Sequence, residues 1–483
     1  MNTRIKNQPM KTPIENLFLL PALIAGLGLI PAGRLTAQNF TTLHSFTGSD
    51  GANPYSSLIF SNNTLYGTAG SSASPSNGTV FAMNTNGMGF TILHSFPKPS
   101  GPYPPTNSDG AYPFPELILS GNTLYGTTYG GGSSGYGTVF AVNTNGTNFA
   151  TLYSFTGGSD GGFPEAGLIL SGNTLFGESD LGGTSGLGTV FALNTNGTGF
   201  TNLYNFTGGS DGAEPLGGLI LSDNRLYGVA RDGGSSFNGT VFALTTDGTE
   251  FTILHSFIAT SDGHDAQARL IISGNTLYGT ATLGGSANRG TVFALNTDGT
   301  QFRTLHSFTA GFGAYPNYTN SDGAYPADEL ILSGNTLYGT AGYGGSSANG
   351  TVFALNIDGS AFTTLHSFTA LNNRTNSDGA NPSAGLILSG NTLYGATFYG
   401  GSSGYGTIFS LSLPPPQLTI IPSGTNIILT WPTNATGFTL QSTTNLVSPV
   451  FWTNVSPGPV VVDWQNAVTN PILGTQHFYR LSQ

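Results

Sequence analysis

In a chain built of copies, chemistry needs positions where one copy departs from the others. Three departures that bring ionisable groups fall in consecutive copies. Glu178 and Asp180 replace a Thr and a neutral residue after Leu-Phe-Gly, and Arg231 and Asp232 occupy the equivalent loop of the next copy. His264, Asp265 and Arg269 then replace an Ala-x-Pro segment after Asp262. An imidazole beside carboxylates and guanidinium groups at one mouth could serve as a general base or in lyase-type chemistry. Drift in exposed loops accounts for the same charges, and no nucleophile–base motif accompanies them. His264, Asp265, Arg269, Glu178 and Arg231 therefore stand as catalytic candidates only, and the balance is against an enzyme.

Two further sets recur with the repeat. His44, His94, His255, His306 and His366 lie in Leu-His-Ser-Phe, but Tyr153 and Tyr204 take their place in two copies. A group needed for chemistry at every site would not be exchangeable, so this set reads as packing. Asp50, Asp109, Asp160, Asp211, Asp262, Asp322 and Asp378 form a sevenfold Ser-Asp-Gly set. One Asp per copy falls short of the roughly six to eight oxygens of a calcium loop, and Asp-Gly reads as Asx-turn chemistry. The Gly-Gly-Ser stretches lack the Lys and following helix of a phosphate loop. No metal and no cofactor is expected.

Aromatic residues give the binding candidates. The connections Pro97 to Pro115, Thr309 to Pro326 and Thr369 to Pro382 are longer than their counterparts. With neighbouring loops they carry Tyr103, Tyr112, Tyr315, Tyr318, Tyr325, Tyr399 and Tyr405, beside Tyr129, Tyr136 and Tyr343. A flat ring with a polar tip stacks on a sugar face and hydrogen-bonds at its edge. The alternative is that each Tyr packs on its own glycine loop, as Tyr66, Tyr125 and Tyr278 do in Leu-Tyr-Gly-Thr.

The elements that would position these groups are strands. The chain has 483 residues, 72 of them Gly, and only 7% are charged, a composition of short strands and tight turns. A net charge of −11 with 12 Lys plus Arg argues against duplex nucleic acid and anionic membrane surfaces. Without Cys there is no disulfide framework. Arg4, Lys6 and Lys11 precede an apolar run from Leu17 to Ile30, and Ala37 closes a cleavable export signal over residues 1–37. That run is shorter than the roughly 20 residues of a spanning helix, so no membrane segment is expected after cleavage.

The Gly that opens Gly-Thr-Val-Phe recurs at Gly78, Gly137, Gly188, Gly239, Gly290, Gly350 and Gly406, at spacings of 59, 51, 51, 51, 60 and 56. Each copy offers four apolar stretches, for example Leu219 to Leu221, Arg225 to Val229, Thr240 to Leu244 and Phe251 to Phe257. Hairpin turns of Ser-Gly-Asn and Thr-Asp-Gly join them. A lone fourth strand, Phe40 to Phe46, begins the mature chain, and the seventh copy stops after its third, Thr407 to Leu413. Pairing these two would protect both edges. The expectation is all-β, a seven-bladed β-propeller over residues 38–413 closed by its N- and C-terminal strands; a β-helix is the other architecture at this repeat length. Residues 414–416 are a Pro linker, and residues 417–483 a small β-sandwich with Trp431, Phe438, Leu440, Trp452 and Tyr479 in its core.

Gly-Asn-Thr-Leu-Tyr-Gly-Thr, Gly-Thr-Val-Phe-Ala-Leu-Asn-Thr-Asp-Gly-Thr and Leu-His-Ser-Phe over residues 40–413 resemble the tandem repeat of exported Gloeobacter and Verrucomicrobia proteins, the GloVer repeat. The C-terminal segment resembles fibronectin- or Ig-like modules. The resemblance implies export and no particular chemistry. Together these readings lead to the expectation of a secreted or cell-surface monomer, or a periplasmic one, that binds extracellular polysaccharide through its variable loop face. A carbohydrate-active lyase or hydrolase and a structural or adhesive surface component are the alternatives.

Overall fold

The computed structural model describes residues 39–71, 76–313, 317–414, 416–432, 438–447, 450–462, 465–471 and 476–482. The expected export signal and Tyr315 lie outside them. Among the described residues there is no helix, and seven antiparallel sheets of four strands precede residue 413. The fourth copy is typical: Ile220–Ser222, Arg225–Ala230, Thr240–Thr245 and Thr252–Ser256 pair in sequence order. The turn between the first two strands needs a left-handed residue. Gly274 takes it at φ 57°, and Asp223, which stands in for Gly, at φ 54°. The strand Phe40–Ser45 pairs with Thr407–Ser412, Phe40 opposite Leu411 and Ser45 opposite Thr407, and completes the sheet of the last copy.

Each core lies between consecutive copies rather than within one. Tyr227 of the fourth copy packs with Leu270, Leu277 and Phe293 of the fifth, and Tyr278 with Leu330, Leu337 and Phe353 of the sixth. Tyr394 of the seventh packs with Leu58, Leu65 and Phe81 of the first. The Gly of Leu-Tyr-Gly-Thr makes room for this layer. A Cβ on Gly126 would come within 2.7 Å of Phe140 Cζ and 2.8 Å of Leu117 Cδ2.

The recurrent His and Asp form a latch between copies. His Nε2 lies 2.7–3.1 Å from the Asp carboxylate in His44–Asp50, His255–Asp262, His306–Asp322 and His366–Asp378. His94 and Asp109 are 3.2 Å apart. Tyr153 and Tyr204 donate through their hydroxyls to Asp160 and Asp211 at 3.0 and 3.1 Å. A carboxylate only accepts, so Nε2 carries the proton. Each ring also stacks at 3.6–4.1 Å on a Phe at the start of, or just before, another copy's fourth strand, from His44 on Phe90 round to His366 on Phe40. A planar ring with one donor meets both demands, which is why Tyr substitutes for His.

Beyond residue 416, Thr419–Ser423, Asn426–Pro432, Gln465–Pro471 and Val460–Val462 form one sheet, the second pairing with both the first and the third. Thr453–Asn454, Thr439–Thr443 and Phe478–Ser482 form another. Leu429, Trp431, Leu440 and Val468 are their shared core. The strand Gln465–Pro471 forms although Gln-Asn-Ala-Val-Thr-Asn-Pro has little apolar alternation. Trp452 lies under the Arg480 guanidinium at 4.4 Å rather than in that core.

Candidate functional site

The first strands of the copies converge, and the residue just before each strand's leading Leu faces the point of convergence. These residues are Ser57, Glu116, Gly167, Gly218, Arg269, Glu329 and Gly385. Arg269 forms an ion pair with Glu116 and lies 3.8 Å from Glu329. A Cβ on Gly167 would sit 2.6 Å from Arg269 Nη2, so the small residues at 167 and 218 admit the guanidinium. Burial pushes Glu329 up and Arg269 pulls it back, while burial and then the Glu329 charge push Asp328 up to about 8. This floor holds a narrow cavity of about 70 Å³ bordered by six of the seven copies.

Above it, every copy turns through a left-handed residue: Asn53, Tyr112, Phe163, Glu214, Asp265, Tyr325 and Asn381, all at φ 55–61°. Such residues persist only where surroundings hold them. Here the backbone N–H of all but Asp265 donates to a loop carbonyl of an adjacent copy, for example Tyr112 to Asn77 and Glu214 to Leu187. The mouth they form has two unlike sides. On one, Arg231 pairs with Glu214, lies 3.2 Å from Asp232 and 3.9 Å from Asp265. Asp180 nearby is pushed up to about 6 by burial and then by Glu165, against the pull of Arg231. Glu165 is raised likewise by burial.

The other side is a cleft of about 600 Å³ bordered by Tyr55, Tyr325, Tyr343, Phe398 and Tyr399, with Asp265, Gln267, Asn381 and Ser383 among its polar edges. Phe398 meets Tyr399 edge-on at 4.6 Å and Tyr55 at 5.8 Å; Tyr325 meets Tyr343 at 5.7 Å. Gln267 donates to Asp265 at 2.8 Å, and Asn53 donates to the Phe398 carbonyl at 2.9 Å.

The binding candidates divide accordingly. Tyr325 and Tyr399 line the cleft, Tyr112 lies at the mouth, and Tyr103 and Tyr405 are exposed outside it. Tyr318 is a correction. It is 0% exposed beneath the Arg289 guanidinium at 4.4 Å, so its ring has no face for a ligand.

The catalytic candidates do not converge. Arg231 and Asp265 meet at the mouth, but Arg269 is spent on the floor. Glu178 is sealed between copies, where its Oε2 accepts the Gly218 N–H at 2.8 Å and burial pushes the carboxyl up to about 8. His264 pairs its backbone with Leu283. Tyr55, Phe398, Glu165 and Glu214 were missed. The available signal was position: three residues before the leading Leu, the copies carry Tyr55, Phe114, Glu165, Leu216, Gln267, Ala327 and Ser383, as varied as any site in the repeat.

Stacked antiparallel sheets of four strands, with loops gathered at one mouth, define an all-β repeat protein of propeller-like architecture. The chain belongs to the Gloeobacter/Verrucomicrobia repeat family, whose model matches residues 105–264, 207–319 and 232–442. No curated protein matches it. Among solved structures it is similar to an oligogalacturonate lyase in complex with manganese, at 12% identity and a TM-score of 0.46 over 78% of this chain and 97% of that one. It is also similar to a puromycin-hydrolyzing peptidase of Mycobacterium tuberculosis, at 11% and 0.45 over 81% and 61%. A chain of a nidogen/laminin complex is similar at 16% and 0.37 over 63% and 93%. These likenesses concern the fold alone.

Proposed function

We propose that the protein is an exported or cell-surface seven-bladed propeller that binds a polysaccharide through the aromatic cleft of its loop face, without turning it over. Ring closure is supported by Tyr394 packing on Leu58 and by the pairing of the two terminal strands. In this reading the sheets beyond residue 416 are a separate sandwich that attaches or spaces the propeller. The observation that carries the binding reading is the cleft itself: Tyr55, Tyr343, Phe398 and Tyr399 border a space large enough for a few sugar rings.

On a glycan array, the mature protein is expected to be retained without forming product. Tyr399→Ala, at a ring already 47% exposed, should cut retention about tenfold at unchanged melting temperature. Retention indifferent to Tyr399 would sink the cleft as the site. A second reading rests on Asp180, whose carboxyl is lifted to about 6 beside Glu165 and could donate a proton near neutrality. It requires new reducing ends or unsaturated product, abolished by Asp180→Asn. A protein with neither ligand nor turnover would be a structural or adhesive component.

A further inference from the structure

Around the mouth, the carboxylates of Glu165, Asp180, Glu214, Asp232 and Asp265 face the single guanidinium of Arg231. That guanidinium is already engaged by Glu214 and Asp232. Of the other nearby cations, Arg269 is held below by Glu116 and Glu329, and Arg289 donates to the Tyr325 hydroxyl at 3.0 Å and lies over the Tyr318 ring at 4.4 Å. Arg231 and Arg269 are not left to receive an anionic ligand, and Arg289 is turned onto those two rings. Two carboxylates, in contrast, have unfilled capacity. Asp180 is only 8% exposed, and its Oδ1 has no hydrogen-bond partner. Asp265 borders the aromatic cleft and accepts from Gln267 through Oδ1 alone among the described residues. Ring faces attract cations through their quadrupole, and a desolvated carboxylate beside them adds a counter-charge.

We propose that this cleft recognises a cationic, amine-bearing polysaccharide, with the protonated sugar amine seated between the Asp265 carboxylate and the faces of Tyr55, Phe398 and Tyr399. The proposal rests on the reading of the same cleft given above and names its ligand class. A uronate or sulfated polymer would meet the carboxylates head-on, and the −11 net charge of the chain repels it at longer range.

Calorimetry on the mature full chain at pH 6 and low salt tests this with hexamers of glucosamine, N-acetylglucosamine and guluronate. The glucosamine hexamer should bind at least about tenfold more tightly than its acetylated counterpart and lose affinity as salt rises. Asp265→Asn should cost about tenfold for the glucosamine hexamer and clearly less for the acetylated one. Asn accepts from Gln267 as Asp does and suits the left-handed backbone at φ 60°, so an unchanged melting temperature keeps the comparison clean. Equal binding of the two hexamers, or indifference to Asp265→Asn, would overturn the cationic ligand while leaving polysaccharide binding in place. Tight guluronate binding would reverse the sign. A lysine hexamer that outcompetes the sugar would move the ligand to peptide and overturn the proposal. Failure of every hexamer would remove both readings together.

Discussion

Glu178 stands where four other copies hold a Thr whose hydroxyl crosses to the next copy, as Thr127 does to the Ala166 carbonyl at 3.2 Å and Thr340 to that of Ala384 at 3.1 Å. The carboxyl reverses the polarity by accepting the Gly218 N–H, and full burial pushes it up to about 8 from 4.5. Between those values the folded chain binds a proton that the unfolded chain has lost, so stability falls as pH rises. Asp328, also pushed up to about 8, acts in the same sense. Burial lowers His44 and His94, which has the opposite effect, but only below their ordinary value of 6.5. The window from 6.5 to 8 therefore belongs to the carboxyls. Urea midpoints are expected to decline across it, and Glu178→Gln should remove part of the decline and add about 1–3 kcal/mol at pH 8. A flat wild-type profile would contradict the buried, protonated acid. Glu178 was legible as a break in the repeat, but its role was not, because a polar substitution in a strand looks the same whether it faces a mouth or a neighbour's backbone.

At the scale of elements, the latch joins a fourth strand to the turn that follows it and to the Phe that leads into another copy's fourth strand. Asp322 shows the balance: burial pushes its carboxyl up, but hydrogen bonds from His306 and Thr309 outweigh burial and hold it below the ordinary carboxylate range. That contribution is present above the ordinary range and is lost as pH falls through the lowered value. His306→Tyr should be nearly neutral, because Tyr153 and Tyr204 already stack and donate in the same way. His306→Leu leaves a buried carboxylate short of a donor and should cost about 1–3 kcal/mol in chemical denaturation at pH 7. Equal losses for the two variants would mean that neither the stacked ring nor the donor, both of which Tyr keeps, carries the latch. The sequence displayed both members of each pair and their interchange with Tyr. Their meeting was hidden, since the Asp lies 6 residues beyond the His in one copy and 16 beyond it in another, so no fixed spacing marks the pair.

For the molecule as a whole, the proposed ring depends on a strand borrowed from the other end of the chain. Phe40 stacks on His366 at 4.0 Å and lies 5.1 Å from Phe409, and Phe46 is wholly buried beside Phe81. Deleting residues 38–46 empties both sites and bares the edge of Thr407–Ser412. The loss should exceed the roughly 3–5 kcal/mol of one vacated Phe site, read as a lower melting temperature with aggregation. A synthetic peptide of those residues should restore it. Unchanged melting would leave the ring without its clasp.

Periodicity and turn chemistry are local properties, and for that reason the residues themselves determined the seven copies, the four strands in each, the split copy at the two ends, and the loops richest in tyrosine. Tertiary structure decided which of those residues share a space. Arg269 finds Glu116 from 153 positions away, and Tyr55 of the first copy joins Phe398 of the last. Both meetings depend on the angle at which one copy packs on the next. That angle is set by the summed fit of the inter-copy cores and leaves no mark at the positions it brings together.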